Sequence, residues 1–250
     1  MTEYEEDQLA EALKESVEKA AAQLSLSVEG LGKTKGKTYE VWVLFRLATH
    51  LKALGVHVSA RSHKDESTTT FRIKGGPGKI HPTTASSPKP SHFRISKSPG
   101  SKRIFEIHVS LEHRGVSDVS HEVDISVISG EFATAIRNKP EGGDYQGPRY
   151  ACLELKNYAT DKELDKNVAR AFLAVRQELG GGTAISRKHD IISAMVSHVS
   201  YSLITAASVG ESSAKLLKHY HISSLGGVIP NSTEGDDFLH TIAYWLDLCL

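Results

Sequence analysis

Apolar residues recur every three or four positions in five segments of this chain, which is the period of a helix with one buried face. The third segment opens on Thr160 and Glu163, whose spacing is that of a capping box. A run of glycines from Gly180 predicts where that helix ends. The predicted helices are Glu3–Leu24, Lys37–Leu54, Thr160–Leu179, Glu211–Tyr220 and Asp236–Leu250.

Other segments alternate apolar and polar residues, which is the period of a strand with one buried face. Arg103–Glu112 and Val119–Ile128 are separated by a short turn at Gly115 and are expected to pair antiparallel. Ser200–Val209 is apolar enough for a strand buried on both faces, and the strand–helix–strand order that follows favours parallel pairing with Leu225–Ile229. The further predicted strands are Val56–Arg61, Phe71–Lys74, Phe93–Lys97 and the central part of Arg149–Thr160.

The order of these elements predicts one α/β domain over residues 1–250, with a mixed central β-sheet flanked by helices. A chain of 250 residues is long enough to bury such a core. We expect an N-terminal helical extension over residues 1–30, a long basic insertion over residues 62–102 and a C-terminal helix over residues 231–250. Gly130–Pro148 contains adjacent glycines and two prolines, which predicts a loop or a partly ordered excursion.

Acidic and basic residues balance over the whole chain, at 30 each, but not locally. Residues 61–103 carry ten lysines and arginines against only Asp65 and Glu66. Such a stripe is expected of a surface that contacts a phosphate backbone, and a solvated loop explains it equally well. The candidate nucleic-acid contacts are Arg72, Lys74, Lys79, Arg94 and Lys97, together with Lys166 and Arg170 on a predicted helix.

The two cysteines, Cys152 and Cys249, are too few for a disulfide framework or a zinc site. The acidic N-terminus lacks the apolar core of a signal peptide, and no apolar run is long enough to cross a bilayer. We therefore expect a cytoplasmic protein without a membrane partner. The histidines, His108 and His121 among them, lack the spacing of a two-histidine metal site on one helix.

Three acidic residues lie on the polar side or at the rim of elements that the patterns predict to be part of the core. Glu40 continues the apolar face of its helix, and Asp124 lies on the polar face of an alternating strand. Glu154 and Lys156 point to the same side of one strand, about 6–7 Å apart along it. Alone, that pair predicts a salt bridge. With the other acids it meets the needs of phosphodiester hydrolysis, because Mg²⁺ binds carboxylate oxygens and offsets phosphate charge.

This pattern resembles that of the PD-(D/E)XK, or restriction-endonuclease-like, nuclease superfamily. The matching residues are the helix acid Glu40 in KTYEVW, the strand acid Asp124 in HEVDIS, and Glu154 with Lys156 in CLELKN. The resemblance spans roughly residues 37–229 and implies a restriction-endonuclease-like mixed sheet flanked by helices. It also implies cleavage of nucleic acid, usually DNA, with Mg²⁺ or Mn²⁺ as the cofactor.

The resemblance further implies a role for each matching residue. Asp124 and Glu154 would ligate the metal together with the backbone carbonyl of Leu155. Glu40 would bind through water or hold a second ion. Lys156 would orient or activate the attacking water and stabilise the pentavalent phosphate.

Two features depart from the pattern of the superfamily. Val123 rather than proline precedes Asp124, and the interval from Asp124 to Glu154 is wide for a hairpin, so residues 130–149 would be an insertion. Asp144 lies closer to Glu154 in the sequence and is the competing acid. Asp124 is preferred because its strand alternates, whereas Asp144 follows two glycines.

The leading hypothesis is a divalent-metal-dependent endonuclease of DNA, of the prokaryotic restriction or antiphage-defence kind. The alternatives are a catalytically inactive nucleic-acid-binding or assembly subunit on the same scaffold, and a nuclease for RNA or for branched repair DNA. Lys166 and Arg170 would contact the strand being cut, or else be solvent-facing charges. Specificity would come from the basic segment 61–103, from a homodimer or larger oligomer, or from an activating partner protein.

Overall fold

The computed structural model describes residues 3–31, 35–73, 78–180 and 199–250. Within these ranges helices flank a central sheet that is mostly antiparallel, so the predicted mixed α/β architecture is confirmed. None of the described helices combines the length and the apolar character that crossing a membrane requires. The elements in chain order are α1 (Glu3–Gln23), β1 (Ser27–Glu29), α2 (Lys35–Ala53), β2 (His57–Arg61), β3 (Thr70–Arg72), β4 (His92–Ser96), β5 (Phe105–Arg114), β6 (Ser120–Ser129), α3 (Gly130–Arg137), β7 (Arg149–Lys156), α4 (Lys166–Glu178), β8 (Ser200–Thr205), α5 (Glu211–His219), β9 (Ser223–Leu225) and α6 (Thr233–Cys249).

The central sheet has seven strands in the order β2-β4-β5-β6-β7-β8-β9. Neighbouring strands from β2 to β7 are antiparallel, whereas β7, β8 and β9 run parallel. The antiparallel pairing of β5 with β6 and the parallel pairing at the C-terminal end agree with the sequence prediction. β1 and β3 form a separate parallel pair. The strand β7 therefore marks the change from antiparallel to parallel pairing.

The main core lies between one face of the sheet and the helices α1, α2 and α6. Residues such as Val41, Leu44 and Leu47 make α2 apolar on several sides, and all three are fully buried between the sheet and the neighbouring helices. Cys152 and Tyr201 lie on the opposite face of the sheet, where α4 and α5 pack. The sheet is thus covered by helices on both faces, and α2 is held firmly against it.

The helix α4 begins at Lys166 and not at Thr160, so the predicted capping box was wrong. Asp165 is the N-cap, and its carboxylate accepts a hydrogen bond from a backbone N–H of the first turn at 2.8 Å. Just before it, the backbone N–H of Leu164 donates to the carbonyl of Ser208 at 2.8 Å. This pairing with the segment after β8 keeps the residues before Asp165 extended, and the helix starts only where the pairing ends.

Two other segments differ from the prediction. Gly130–Arg137 forms the helix α3 at the start of the expected loop Gly130–Pro148, because its short apolar face packs on the sheet and the glycines and prolines come only after it. The last strand covers Ser223–Leu225 rather than Leu225–Ile229. It stops there because the chain turns just beyond it, at Gly227 in the left-handed conformation.

The basic segment expected as an insertion, residues 62–102, is tied into the sheet. Its residues His92–Ser96 form β4, which lies between β2 and β5 and pairs with both. Phe93 on this strand is fully buried in the main core, where it contacts Phe45 and Phe71 ring to ring. Part of this segment is therefore core structure and not a surface loop.

Candidate active site

The pairing of β6 with β7 brings Asp124 and Glu154 near each other. The antiparallel register ends at the pair Ile125 and Leu153, and Asp124 and Glu154 are the next residues of the two strands. Burial raises the pKa of Glu154 and the charge of Asp124 raises it further, so the two carboxylates are close enough to repel each other. This arrangement needs a positive partner.

Lys156 is that partner. Its Nζ lies 2.6 Å from Oε1 of Glu154 and 3.5 Å from Oδ2 of Asp124. The backbone N–H of Leu155 donates a hydrogen bond to the same Asp124 oxygen at 2.7 Å. Because the N–H and C=O of one residue point to the same edge of a strand, the Leu155 carbonyl is directed towards the Asp124 side as well.

Glu40 reaches the same place from α2, close enough for the charge of Asp124 to raise its pKa. Oε2 of Glu40 lies 2.5 Å from Nζ of Lys37 and accepts a hydrogen bond from the Ser110 hydroxyl at 3.0 Å. Nζ of Lys37 also donates to the Ser110 hydroxyl. The structure thus brings Asp124, Glu154 and Lys156 into contact and Glu40 within electrostatic range of Asp124. We use the name acidic site for Glu40, Asp124, Glu154 and Lys156.

Two residues of this arrangement, Lys37 and Ser110, were not predicted from the sequence. Lys37 precedes Glu40 by three positions, so the two side chains share a helix face, and that signal was visible. Ser110 lies on the predicted polar face of β5, but its backbone has a φ of +51°, which is uncommon for a residue other than glycine. Such backbone conformations concentrate at functional sites, and no sequence pattern indicated this one.

The carboxylates of the acidic site are neither fully buried nor freely solvated. The side chains of Glu40, Asp124 and Glu154 keep 14%, 13% and 18% of their surface exposed. Burial and, to a smaller extent, the charge of Asp124 raise the pKa of Glu40 to about 7. The positive charge of Lys37 lowers this pKa but does not outweigh them. Burial and the charge of Asp124 also raise the pKa of Glu154, against the opposing Lys156. The Asp124 charge acts on both glutamates, so the three carboxylates form one electrostatic unit.

The donor groups of the acidic site are of the chemical type that a hard divalent cation prefers, although the ligand atoms of Glu40, Asp124 and Glu154 are not among the described groups that lie within 4.8 Å of one another. Its three carboxylates and the Leu155 carbonyl offer oxygen ligands, the type that Mg²⁺ and Mn²⁺ prefer. When all three carboxylates are ionised, they exceed the two ammonium groups of Lys37 and Lys156. Burial raises the pKa of Glu40 most, and the negative charge of Asp124 raises it further. A bound divalent cation would offset that surplus.

Asp144, the competing acid, lies elsewhere. It pairs with Arg114, whose guanidinium is 3.0 Å from Oδ2, and accepts a hydrogen bond from the Ser120 hydroxyl. Ser120 begins β6, four residues before Asp124, which corresponds to about 13 Å along a strand. The structure therefore brings Asp124, and not Asp144, beside Glu154.

Most of the basic residues predicted to contact nucleic acid in the segment 61–103 are engaged in ion pairs. Their acidic partners come from β1, from the turn after β2 and from α6, so these cations serve the packing of neighbouring elements. An exposed ion pair of this kind remains open to competition by phosphate, but its charge is largely compensated. The pairs are Arg72 with Glu29, Arg94 with Asp65 and Lys97 with Asp247, at 2.8, 3.1 and 2.6 Å.

The other predicted contacts differ in their surroundings. Lys79 is exposed and lies at the rim of a pocket next to β5. Lys166 and Arg170 are exposed on the first turns of α4, and Arg170 donates a hydrogen bond to Asn167 at 3.2 Å. Lys74 lies outside the described residues. The cationic surface that remains for a ligand is thus smaller than the sequence suggested.

A second group of ionisable side chains lies on the far side of β5 and was not predicted. Glu106 is 1% exposed, and Arg137 of α3 donates to both of its carboxylate oxygens, at 2.8 Å for Oε1. Nε2 of His108 lies 2.8 Å and Nε2 of His92 lies 3.5 Å from Oε2 of Glu106. Oδ1 of Asp65 is 3.5 Å from His92. We call these five residues the arginine–histidine network.

Three members of this network, His92, Glu106 and His108, have ligand atoms within 4.8 Å of one another and could hold a metal ion. The position of a cation is already taken by Arg137, whose Nη2 lies 3.2 Å from Nε2 of His92 and also bonds Glu106. Burial lowers the pKa of His108 to about 4, although Glu106 favours its charged form. Burial opposes ionisation of Glu106, but His92, His108 and Arg137 outweigh it and hold the pKa of this carboxyl far below its usual range. The network is therefore a buried Glu–Arg ion pair with neutral His108.

Comparison with known proteins adds no relative. No family model, no curated protein and no solved structure matches this chain. The acidic site is therefore interpreted from its own geometry and from the chemistry of its side chains.

Proposed function

We propose that the protein is a nuclease of the PD-(D/E)XK kind that cleaves phosphodiester bonds of DNA with a divalent metal ion. The observation that carries the proposal is the convergence of Glu40 from α2 with Asp124, Glu154 and Lys156 from two paired strands. Glutamates whose pKa values are raised by burial and by a nearby carboxylate, next to a lysine, are typical of sites that perform chemistry. The oxygen donors favour Mg²⁺ or Mn²⁺ over softer metals.

Each residue of the acidic site has a distinct task in this reaction. A divalent ion, when bound, would neutralise phosphate charge and make water more acidic. Asp124 and Glu154 would hold it, and Glu40, fixed by Lys37 and Ser110, adds negative charge on the helix side. The ammonium of Lys156 is positioned to donate to a phosphate oxygen or to the attacking water, where it stabilises the charge that develops as the bond breaks.

The experiment that tests this proposal uses isosteric variants and several nucleic acids. We expect Asp124→Asn, Glu154→Gln and Lys156→Met each to lower the rate of DNA cleavage in Mg²⁺ by about a hundredfold or more. Supercoiled plasmid, linear duplex, single-stranded DNA, branched DNA and RNA are compared as substrates. Circular dichroism and thermal melting show whether each variant remains folded.

Asp144→Asn is the matched control, because it makes the same chemical change at the acid that lies apart from the acidic site. It should cleave at the wild-type rate. Full activity in the double variant Asp124→Ala/Glu154→Ala would refute the proposal. Nucleic-acid binding without cleavage in every divalent metal would identify an inactive binding subunit instead.

A further inference from the structure

Ser110 lies inside the strand β5 in a backbone conformation that strands do not use. Its φ is +51°, in the left-handed region, whereas the other described non-glycine residues with a positive φ lie outside the helices and strands. This conformation is unfavourable for a residue with a Cβ and persists only where the surroundings impose it. Ser110 is therefore a strained point within the sheet.

The packing of β5 changes sides at Ser110. Val109 packs against the main core, whereas Leu111 belongs to the cluster beside α3. That cluster covers the opposite face of the sheet, because it also contains Ile128, the strand neighbour of the main-core residue Val127. In a regular strand, residues two positions apart point to the same face. The facing of β5 therefore reverses between Val109 and Leu111, at Ser110.

The neighbouring strand β6 changes sides at the same level. Ile125 belongs to the main core, whereas Val123 belongs to the cluster beneath α4 and α5 on the opposite face. These two residues pair with Val109 and Leu111. Asp124 lies between them, at the level of the left-handed residue of β5. The two paired strands thus reverse their facing together.

This reversal places Ser110 and Asp124 where they can act on α2. A regular β5 would direct the side chain of Ser110 away from the main core, because Val109 faces the core. Instead, the Ser110 hydroxyl donates to Oε2 of Glu40 on α2 at 3.0 Å. Asp124 likewise follows the facing of the core residue Ile125 closely enough for its charge to act on Glu40. Both side chains reach the acidic site for the same reason.

The contacts of Ser110 explain why it keeps its strained backbone. The backbone N–H of Gly78 donates to the Ser110 carbonyl at 2.9 Å, and Nζ of Lys37 donates to the Ser110 hydroxyl. We propose that Ser110 is a positioning residue of the acidic site, whose left-handed backbone turns Asp124 towards Glu40 and whose hydroxyl holds Glu40 in place. The importance of this placement for cleavage rests on the proposed function, whereas the placement itself is measured without metal or substrate.

The position of Asp124 is measured by NMR on the full, metal-free chain. The backbone N–H of Leu155 donates to Oδ2 of Asp124 at 2.7 Å, and a short bond to a carboxylate moves an amide proton downfield. Asp124→Asn removes the charge and supplies the reference resonance for a weakened bond. Ser110→Gly should keep the wild-type Leu155 resonance, because glycine adopts the left-handed conformation without strain. Ser110→Val should move it to the reference position, because a β-branched residue is least suited to that conformation.

The turn between β5 and β6 offers a matched control. Asp118 has a φ of +67° in the same hairpin but lies away from the acidic site, so Asp118→Val strains the backbone in the same way. It should leave the Leu155 resonance unchanged. Circular dichroism shows whether Ser110→Val folds. If it does not, Ser110→Ala is compared with Ser110→Gly, because both lack the hydroxyl and fit the space of serine. The alanine protein alone should displace the resonance towards the reference.

The role of the hydroxyl is tested by the kinetics of DNA cleavage. Ser110→Gly should lower kcat in saturating Mg²⁺ by about tenfold and leave KM unchanged, because a misplaced Glu40 affects bond breaking and not substrate binding. A purely structural role would not separate the two constants. Asp118→Gly should keep both constants at the wild-type values.

Three results would overturn the proposal. The first is a wild-type Leu155 resonance in folded Ser110→Val, or the same resonance in Ser110→Ala and Ser110→Gly where the valine protein does not fold. The second is a displaced resonance in Ser110→Gly or in Asp118→Val, which would remove the role of the Ser110 backbone. The third is an unchanged kcat in Ser110→Gly, which would remove the role of the hydroxyl. A wild-type protein that does not cleave refutes the proposed function, while the NMR comparison still decides the placement of Asp124.

Discussion

Glu154 and Lys156 form a salt bridge, but the surroundings of this pair make it more than a structural contact. Lys156 also approaches Asp124, and burial, followed by the charge of Asp124, raises the pKa of both Glu40 and Glu154. An isolated ion pair would lower the pKa of its acid, because the ammonium favours the carboxylate form. Here the partially buried site contains more negative charge than its lysines compensate.

The surplus of negative charge at the partially buried acidic site predicts that neutralising Glu40 stabilises the metal-free protein. The pKa of Glu40 in the folded state, about 7, exceeds its ordinary value of 4.5, so folding favours the protonated form. The ionised carboxylate therefore weakens the fold at pH 8. We expect Glu40→Gln to raise the free energy of unfolding by about 1–3 kcal/mol at pH 8, measured by urea denaturation without metal.

The pH dependence of the stability gained in Glu40→Gln is the control for this prediction. The protonated carboxyl becomes the main folded form as the pH falls through about 7, and below 4.5 the unfolded state is protonated as well. The advantage of Glu40→Gln over the wild type should therefore shrink steadily between pH 8 and pH 5. Equal stability of the two proteins at pH 8, or a gain that persists unchanged at pH 5, would contradict the raised pKa.

At the scale of single elements, α4 begins where tertiary pairing allows it and not where the capping-box spacing in the sequence predicts. Thr160 and Glu163 have the spacing of a helix start, but Glu163 pairs in parallel with Ser208 and the helix begins after Asp165. Tertiary pairing with the segment after β8 satisfies backbone groups that a helical turn would otherwise have used. The N-cap is consequently the next residue able to accept a backbone hydrogen bond.

The assignment of Asp165 as the N-cap of α4 predicts the effect of replacing it. Its carboxylate accepts from the N–H of Asn167 at 2.8 Å, so Asp165→Ala should lower the free energy of unfolding by about 1 kcal/mol. Asp165→Asn keeps a side-chain oxygen in the same place and should lose only a few tenths of that energy, about 0.3 kcal/mol. Chemical denaturation of both variants makes the comparison, and equal losses would show that charge and not capping matters at this position.

Besides its apolar face, the helix α3 contacts the sheet through a buried ion pair. Arg137 is 2% exposed and donates to both oxygens of Glu106, which is 1% exposed. Removing the guanidinium leaves a buried carboxylate without its counter-ion. We expect Arg137→Met to lower the free energy of unfolding by about 3–5 kcal/mol, measured by urea denaturation at pH 7.

The double variant Arg137→Met/Glu106→Gln separates the lost charge from the lost packing. Glu106→Gln removes the unpaired charge but keeps the shape of the side chain, so the double variant should recover part of the stability that Arg137→Met loses. Losses that simply add would mean that the two side chains contribute independently. In that case the ion pair would not be what holds α3 to β5.

At the scale of the whole molecule, the acidic site joins α2 to the middle of the sheet. Carboxylates from three separate elements lie there, the charge of Asp124 opposes ionisation of both glutamates, and a bound divalent cation would offset this repulsion. Metal binding to the folded state alone should stabilise it, by about 2.7 kcal/mol when the free metal is at 100 times its dissociation constant. Thermal melting with and without Mg²⁺ or Mn²⁺ measures this gain.

The stabilisation by bound metal should be larger at pH 8 than at pH 6, because protons compete with metal for Glu40 and Glu154. Asp124→Ala/Glu154→Ala should remove the metal effect, while Asp144→Asn should keep it. An equal gain in all these proteins would show that the metal binds elsewhere. The group His92, Glu106 and His108 would then be the next site to test.

By itself the sequence determined the mixed α/β fold, most of the helices and strands, and the candidate catalytic side chains. Periodicity acts within a segment, so it correctly placed Lys156 on the same side as Glu154. The spacing of Lys37 and Glu40 likewise indicated that the two side chains lie on one helix face. These are local relations, set by the geometry of a helix turn or of an extended strand.

Only the tertiary structure decided which distant residues meet. The pairing of β6 with β7 brings Asp124 near Glu154, while Asp144 contacts Arg114 and Ser120 instead, and no local pattern specifies such a register. Long-range pairing likewise engaged Arg94 with an acid, and Arg137 with the buried Glu106. The energy of a charge depends on the partners that folding brings within a few ångströms, and those partners come from elsewhere in the chain.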